Sequence, residues 1–181
     1  LKQSNKVLPI FIFTPEQITS KNEYKSDNSV QFLMESLDDL NQSLIKNNSK
    51  LIYFYGDIIT VLKSLIQDLE IDSIFVNQDY TPYSKERDNK IENFCTQNNI
   101  IFNSHEDICL LPINSVKTGA GETYKVFTPY HRVAEKIKVR KVTKNNHNNY
   151  YNTKKKLKHL CNLKKDIKYI KNDNIRVRGG R

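Results

Sequence analysis

The sequence contains no tryptophan, a single methionine, three cysteines, and only five glycines and five prolines in 181 residues. Cys95, Cys109 and Cys161 are odd in number and widely spaced, which argues against both a disulfide framework and a zinc site. No apolar run approaches the ~20 residues needed to cross a bilayer, and no signal peptide precedes the first strand pattern. We therefore expect a soluble, intracellular protein with reduced thiols, no membrane partner and no metal.

Positive charge is concentrated at one end of the chain. The formal net charge is +9, but residues 1–135 hold thirteen Lys and Arg against eighteen Asp and Glu, whereas residues 136–181 hold sixteen against two. A concentrated cationic segment attracts phosphate backbones through counterion release, without sequence preference. The side chains predicted to contact nucleic acid are Lys154, Lys155, Lys156, Lys158, Arg176 and Arg178. The alternative interpretation is a solvated or disordered tail.

Strand and helix patterns alternate through the first two thirds of the chain. Apolar runs typical of buried strands cover residues 7–13, 51–55, 73–76 and 100–102. Apolar residues at three- and four-residue spacing predict a helix of about eighteen residues around 30–44, capped by Asp27, Asn28 or Ser29. Two further helices are predicted to begin after Asp57 and Thr81. This alternation predicts a Rossmann-like α/β fold, a parallel sheet with helices on both faces.

Beyond residue 130 the pattern decays. Residues 136–150 are basic and rich in asparagine, which predicts a linker, and residues 153–170 predict a heavily charged helix. Residues 118–122 lack the spacing of a phosphate-binding loop and predict a turn between extended segments. We expect the following segment, 127–130, to pack as a hydrophobic contact that holds the linker against the sheet.

Five segments occur in an order that identifies a family. They are Val-Leu-Pro-Ile-Phe-Ile-Phe-Thr-Pro at 7–15, the helix segment 32–40, Gly56-Asp57 with Val61-Leu62, residues 77–83 with Arg87-Asp88, and the stretch from Thr-Gly-Ala-Gly to Phe-Thr-Pro-Tyr at 118–130. Together they resemble the N-terminal antenna domain of DNA photolyases and cryptochromes. Arg-Val-Arg-Gly-Gly-Arg at 176–181 resembles the Gly-Gly stretch that precedes the flavin domain of that family.

The resemblance implies a division into two parts. Residues 1–130 would be a photolyase-type α/β antenna domain that is incomplete at its N-terminus, and residues 131–181 a basic linker and the start of the helical FAD domain. The implied activity is that of a deoxyribodipyrimidine photolyase, a carbon–carbon lyase that repairs DNA with light. Because FAD belongs to a domain missing here, we expect no catalysis by this chain alone and name no catalytic residue. The implied partners are DNA and a separately encoded FAD domain.

The resemblance also implies that one strand is missing. In the family, a strand that lies in the middle of the five-stranded sheet precedes the strand at residues 7–13. Without it, we expect residues 7–13 to pair with 51–55, and 73–76 with 100–102, on either side of the central position. The alternatives are direct pairing of 7–13 with 73–76, another segment in the central position, or an isolated chain that is unstable.

Polar residues follow the predicted strands at the edge where open α/β sheets bind ligands. The candidate binding residues there are Glu16, Asp57, Asn77, Asp79 and Tyr80. In the family this crevice holds an antenna pigment, a folate or a deazaflavin, in some members. The Asn-Glu pair that contacts folate in some relatives corresponds to Tyr83-Ser84, so that contact is not carried over. The alternative is that these residues are helix caps and turn formers.

The sequence is also compatible with two other classes of function. The basic tail could be the working part of a nucleic-acid-binding module, whose affinity would fall steeply with salt. The fold would also suit a nucleotide-binding protein of the electron-transfer or stress-protein kind, although the fold alone supports that reading.

Overall fold

The computed structural model describes residues 1–180. These residues form two compact units: the first comprises residues 1–71 together with the chain from residue 146 onward, and the second comprises residues 72–145. The elements in chain order are β1 Ile10–Phe13, α1 Pro15–Ile18, α2 Asp27–Ile45, β2 Ile52–Tyr55, α3 Ile58–Asp68, β3 Ser73–Asn77, α4 Pro82–Gln97, β4 Ile101–His105, α5 Phe127–Ala134 and α6 Leu163–Asp166. Within the described residues, every helix is too short or too polar to span a membrane.

The first unit is built on a parallel pair of strands covered on both faces. β1 and β2 align Ile10 with Ile52 and Phe13 with Tyr55. Because side chains alternate along a strand, the aromatic residues of one face pack with α2, in a cluster that includes Phe13, Leu37 and Leu44. The other face packs with α3 in a second cluster, which includes Phe54, Val61 and Leu65. The prediction of parallel strands with helices on both faces is confirmed for this unit.

The helix starts follow local capping signals. Asp57 accepts a hydrogen bond from the backbone N–H of Thr60 at 2.8 Å and caps α3. Thr81 caps α4, with Pro82 at its first position, as the sequence predicts. The cap of α2 is instead Ser26, one residue before the candidates, because Ser26 and Ser29 satisfy each other's backbone N–H in a capping box.

The second unit is built on β3 and β4, which pair in parallel from Ser73 with Ile101 to Asn77 with His105. α4 packs beside β4 and buries Ile91 and Cys95. Residues 118–122 form the predicted turn, in which the Gly121 N–H donates to the Thr118 carbonyl at 2.9 Å. The prediction for residues 127–130 is wrong: they begin α5, and the side chain of Phe127 is 73% exposed.

The four strands form two separate two-stranded sheets, β1–β2 and β3–β4. This is the pairing expected if the central strand of the family is missing, and the direct pairing of β1 with β3 does not occur. Among the described residues, no strand pairs with members of both sheets.

The chain from residue 146 belongs to the first unit and has little regular secondary structure. Leu157 and Ile167 are buried, and isolated bridges join Val7 to Tyr150 and Phe54 to Leu160. The Tyr55 N–H donates to the His159 carbonyl at 3.0 Å. We call residues 146–180 the C-terminal segment.

The predicted helix over residues 153–170 is wrong, because only α6, four residues long, is helical there. The edge of β2 that faces away from β1 has backbone N–H and C=O groups that β1 does not pair, and such groups are costly to leave without a partner. The segment around His159 supplies these partners, so a tertiary contact overrides a weak helical pattern.

Replacing Leu157 tests whether the C-terminal segment belongs to the core. We expect Leu157→Ala to lower the free energy of unfolding by about 2–5 kcal/mol, because the side chain is almost fully buried against α3. The control in the same segment is Leu160→Ala: this side chain is 51% exposed, and the loss should stay below about 1 kcal/mol. Urea unfolding followed by circular dichroism measures the free energy of unfolding of both variants. Equal losses in the two variants would contradict the burial of Leu157 in the core of the first unit.

Candidate functional site

In the first unit, Asp57, one of the two predicted ligand-binding residues, serves local structure. The turn after β2 contains Gly56, whose φ of +143° disfavours other residues and whose N–H donates to the Phe13 carbonyl at 3.0 Å. Asp57 follows and accepts from both the N–H and the hydroxyl of Thr60, each at 2.8 Å. Glu16 lies exposed in the first turn of α1. The cap therefore accounts for Asp57 without a ligand.

In the second unit, Asp79 organises the turn between β3 and α4. One carboxylate oxygen accepts from the Tyr80 N–H at 2.6 Å and the Thr81 N–H at 3.4 Å. The other oxygen accepts from the Ser84 hydroxyl at 2.7 Å. The Ser84 hydroxyl, followed by the Tyr80 N–H, lowers the pKa of Asp79. Asp79 is consequently an ionised, rigidly held carboxylate at neutral pH.

Tyr80 presents an unusual polar group. Its hydroxyl oxygen is buried and finds no hydrogen-bond partner among residues 1–180. Desolvation by burial, followed by the charges of Glu106, Cys109 and Asp79, raises the pKa of this phenol. The hydroxyl is therefore a protonated donor, and a buried polar atom without a partner is a feature that a bound group could satisfy.

A surface depression of about 410 Å³ in the second unit includes Asp79 in its lining. Its lining comprises Gln78, Asp79, Lys85, Asp88, Asn89, Glu92, Phe102 and Ser104. Three carboxylates face one lysine and one aromatic ring, and the Arg87 guanidinium holds Asp88 at 2.7 Å. Such a lining suits a small ligand that carries hydrogen-bond donors. In the part of the chain that the structure describes, no three His, Cys, Asp or Glu side chains are arranged so that they could hold a metal ion.

The sequence pointed to this depression only in part. Asp79 was predicted as a ligand-binding residue because it follows a strand, and it does line the depression. Asn77, the last residue of β3, and Tyr80 lie in the adjoining turn of the second unit. The sequence prediction missed the four lining residues of α4, Lys85, Asp88, Asn89 and Glu92. These recur at three- and four-residue spacing, so they share one helix face. This spacing could have indicated a shared binding face on α4. A charged helix face is usually a solvated surface, however, so the charges alone did not identify a site.

The predicted nucleic-acid residues fall into two groups. Lys155 donates to the Asp68 carbonyl at 2.7 Å, and Arg178 pairs with Glu35 at 2.9 Å. The side chains of Lys154, Lys156, Lys158 and Arg176 are exposed and make no hydrogen bond or ion pair within residues 1–180. Four of the six basic side chains are thus accessible to a polyanion.

Comparison with known proteins adds the family. The family model described as DNA photolyase matches residues 1–147. The chain belongs to the DNA photolyase family. With its short parallel strands and helices, it corresponds to the N-terminal α/β domain of photolyases and cryptochromes.

Three relatives illustrate the extent of the similarity. The deoxyribodipyrimidine photo-lyase of Vibrio cholerae is 29% identical over 137 residues, which cover 73% of this chain and 29% of that protein. Cryptochrome-1 of Anopheles gambiae is 37% identical over 90 residues, 50% of this chain and 16% of that protein. The structure of an archaeal photolyase from Sulfolobus tokodaii with two FAD molecules is 36% identical, with a TM-score of 0.69, and covers 77% of this chain and 31% of that one. The chain thus spans less than a third of the length of these relatives.

Proposed function

We propose that this chain provides the N-terminal α/β domain of a photolyase that repairs DNA with light. The observation that carries the proposal is the family match over residues 1–147 on a parallel α/β framework whose strands end in polar turns. DNA is the proposed substrate, and FAD, bound by other residues than these, is the proposed catalytic cofactor. A separately encoded FAD domain is the proposed partner.

The composition of the chain supports placing the flavin chemistry elsewhere. The sequence contains no tryptophan, although aromatic side chains are the usual route for electrons to a flavin in this family.

The first experiment tests this division of labour. We expect the purified chain to show no flavin absorbance near 450 nm and no light-dependent repair of DNA that contains cyclobutane dimers. A full-length photolyase assayed in parallel is the positive control. Bound FAD together with repair by these 181 residues would overturn the proposal.

An antenna pigment, a folate or a deazaflavin, is the proposed ligand of the domain itself. Asp79 and Tyr80 support it best, because they combine a fixed carboxylate with a buried hydroxyl that lacks a partner among the described residues. Glu16 and Asn77 stay predictions, and Asp57 already has a role as a cap.

Tyr80→Phe tests the pigment site. If the hydroxyl donates to the pigment, its loss should weaken binding about three- to tenfold, the usual effect of one neutral hydrogen bond. The control is Tyr24→Phe, which removes the same atom from a side chain that is 92% exposed and should leave affinity unchanged. Fluorescence titration with a folate and with a deazaflavin gives both affinities. Identical behaviour of the two variants, or no binding of either pigment to the wild-type chain, would exclude this site.

A second candidate function is nucleic-acid binding through the C-terminal segment, which the four exposed basic side chains favour. Each phosphate neutralised by a lysine contributes about 0.9 to the slope of log K against log salt. Replacing Lys154, Lys156 and Lys158 together by Gln should therefore reduce that slope by about 2 to 3.

The control for charge is the replacement of Lys117, Lys125 and Lys136 by Gln, which removes as many charges from exposed positions of the second unit. Binding to a duplex oligonucleotide, measured by fluorescence anisotropy at several salt concentrations, gives the slopes. If both triple variants lose affinity equally, the attraction is general rather than located in the C-terminal segment.

A further inference from the structure

The last described residues of the chain lie along α2 and bond with one of its faces. Gln31 in α2 is only 1% exposed. Its amide exchanges two hydrogen bonds with the backbone of Asn172: the Asn172 N–H donates to Oε1 at 2.7 Å, and Nε2 donates to the Asn172 carbonyl at 3.1 Å. A buried side chain thus pairs with the backbone of a segment that lies 141 positions away in the sequence.

One helical turn further, Glu35 receives the next part of the segment. Its Oε1 accepts from Arg178 Nη1 at 2.9 Å and its Oε2 accepts from the Gly179 N–H at 2.9 Å. The same Oε1 accepts from Gln31 at 2.9 Å, which links the two contacts. The Gly180 N–H donates to the Ser36 hydroxyl at 3.2 Å. A single carboxylate therefore binds both a guanidinium and a backbone amide.

Glycine is required at position 179 because its backbone lies against α2. A Cβ at this position would lie 2.1 Å from the Phe32 carbonyl oxygen and 2.6 Å from the Ser36 nitrogen. Both are helix backbone atoms, which cannot move aside as a flexible side chain could. Gly180 has a φ of +95°, a conformation that residues with a side chain rarely adopt. The charge of Glu35 therefore favours Arg at position 178, the close approach to α2 requires Gly at 179, and the backbone conformation favours Gly at 180.

We propose that the α2 surface formed by Gln31, Glu35 and Ser36 is a docking site for an Arg-Gly-Gly segment, occupied here by Arg178, Gly179 and Gly180 of the same chain. Docking fixes the course of the polypeptide as far as residue 180 against the α/β framework, and it can be lost without unfolding that framework. The contacts that carry the proposal involve residues beyond the family match, which ends at residue 147.

The charge of Glu35 makes docking depend on pH. The hydrogen bond from Gln31, then that from Gly179 and the contact with Arg178, lower the pKa of Glu35 from 4.5 to about 2. The other charged groups near this surface are Lys171, paired with Asp173 at 2.6 Å, and Asp39 beside Gly180. The docked state favours the ionised form of Glu35. The Glu35 carboxylate therefore stabilises docking fully above about pH 4.5, and this stabilisation is lost as the pH falls towards 2.

Gly179→Ala in the full chain tests the docking site. The Cβ would displace the segment from α2, so trypsin should cleave after Arg178 at least about tenfold faster than in the wild type, the effect of losing one or two charged hydrogen bonds. Gly119→Ala is the matched control, because a Cβ there would meet nothing within 4 Å. Mass spectrometry gives the cleavage rate, and circular dichroism shows whether the fold is retained. Equal cleavage in both variants would overturn the proposal.

Glu35→Gln gives a second measurement that does not depend on sterics. In the wild type, the NMR signal of the Gly179 amide should move as the pH falls towards about 2, following the protonation of Glu35. In Glu35→Gln the movement should disappear and cleavage after Arg178 should rise. A Gly179 signal that titrates unchanged in the variant, or fails to titrate in the wild type, would contradict docking through Glu35.

Discussion

The first unit depends on β2, because this strand has a partner on each of its edges and a helix on each of its faces. β1 pairs with one edge, and the segment around His159 pairs with the other through Tyr53 and Tyr55. Phe54, at the centre of the strand, is completely buried. A two-stranded sheet is marginal in isolation, so the extra edge contact and the two helical layers are what make this short ladder stable. The basic residues of the C-terminal segment are carried on a backbone that belongs to this framework.

The second unit uses its smaller sheet to hold a polar turn. β3 and β4 bring the residues that follow β3 next to α4, where Asp79 is held by three donors. Preorganised carboxylates and buried hydroxyls are expensive to maintain, since each requires partners that replace water. Asp79 has such partners and Tyr80 lacks one within the described residues. That difference is why the turn, rather than the well-satisfied cap at Asp57, is the better candidate for a ligand.

The two basic groups of the C-terminal segment have different physical roles. Lys155 and Arg178 are used within the first unit, on the Asp68 carbonyl and the Glu35 carboxylate. Lys154, Lys156 and Lys158 are exposed on either side of the buried Leu157. A net charge counted over the segment therefore overstates what is available to nucleic acid, because part of it is committed to folding.

The sequence by itself determined the four strands, the caps at Asp57 and Thr81, the turn at Gly121 and the family, because each rests on neighbouring residues or on motif order. The expected pairing of residues 7–13 with 51–55 and of 73–76 with 100–102, which came from the family resemblance, is also the pairing observed. Only the tertiary structure decided that α5 forms, that the segment around His159 pairs with the edge of β2, and that Gly179 must be glycine. The physical reason is distance along the chain: Gly179 meets Glu35 across 144 positions, and local periodicity holds no information about such a contact.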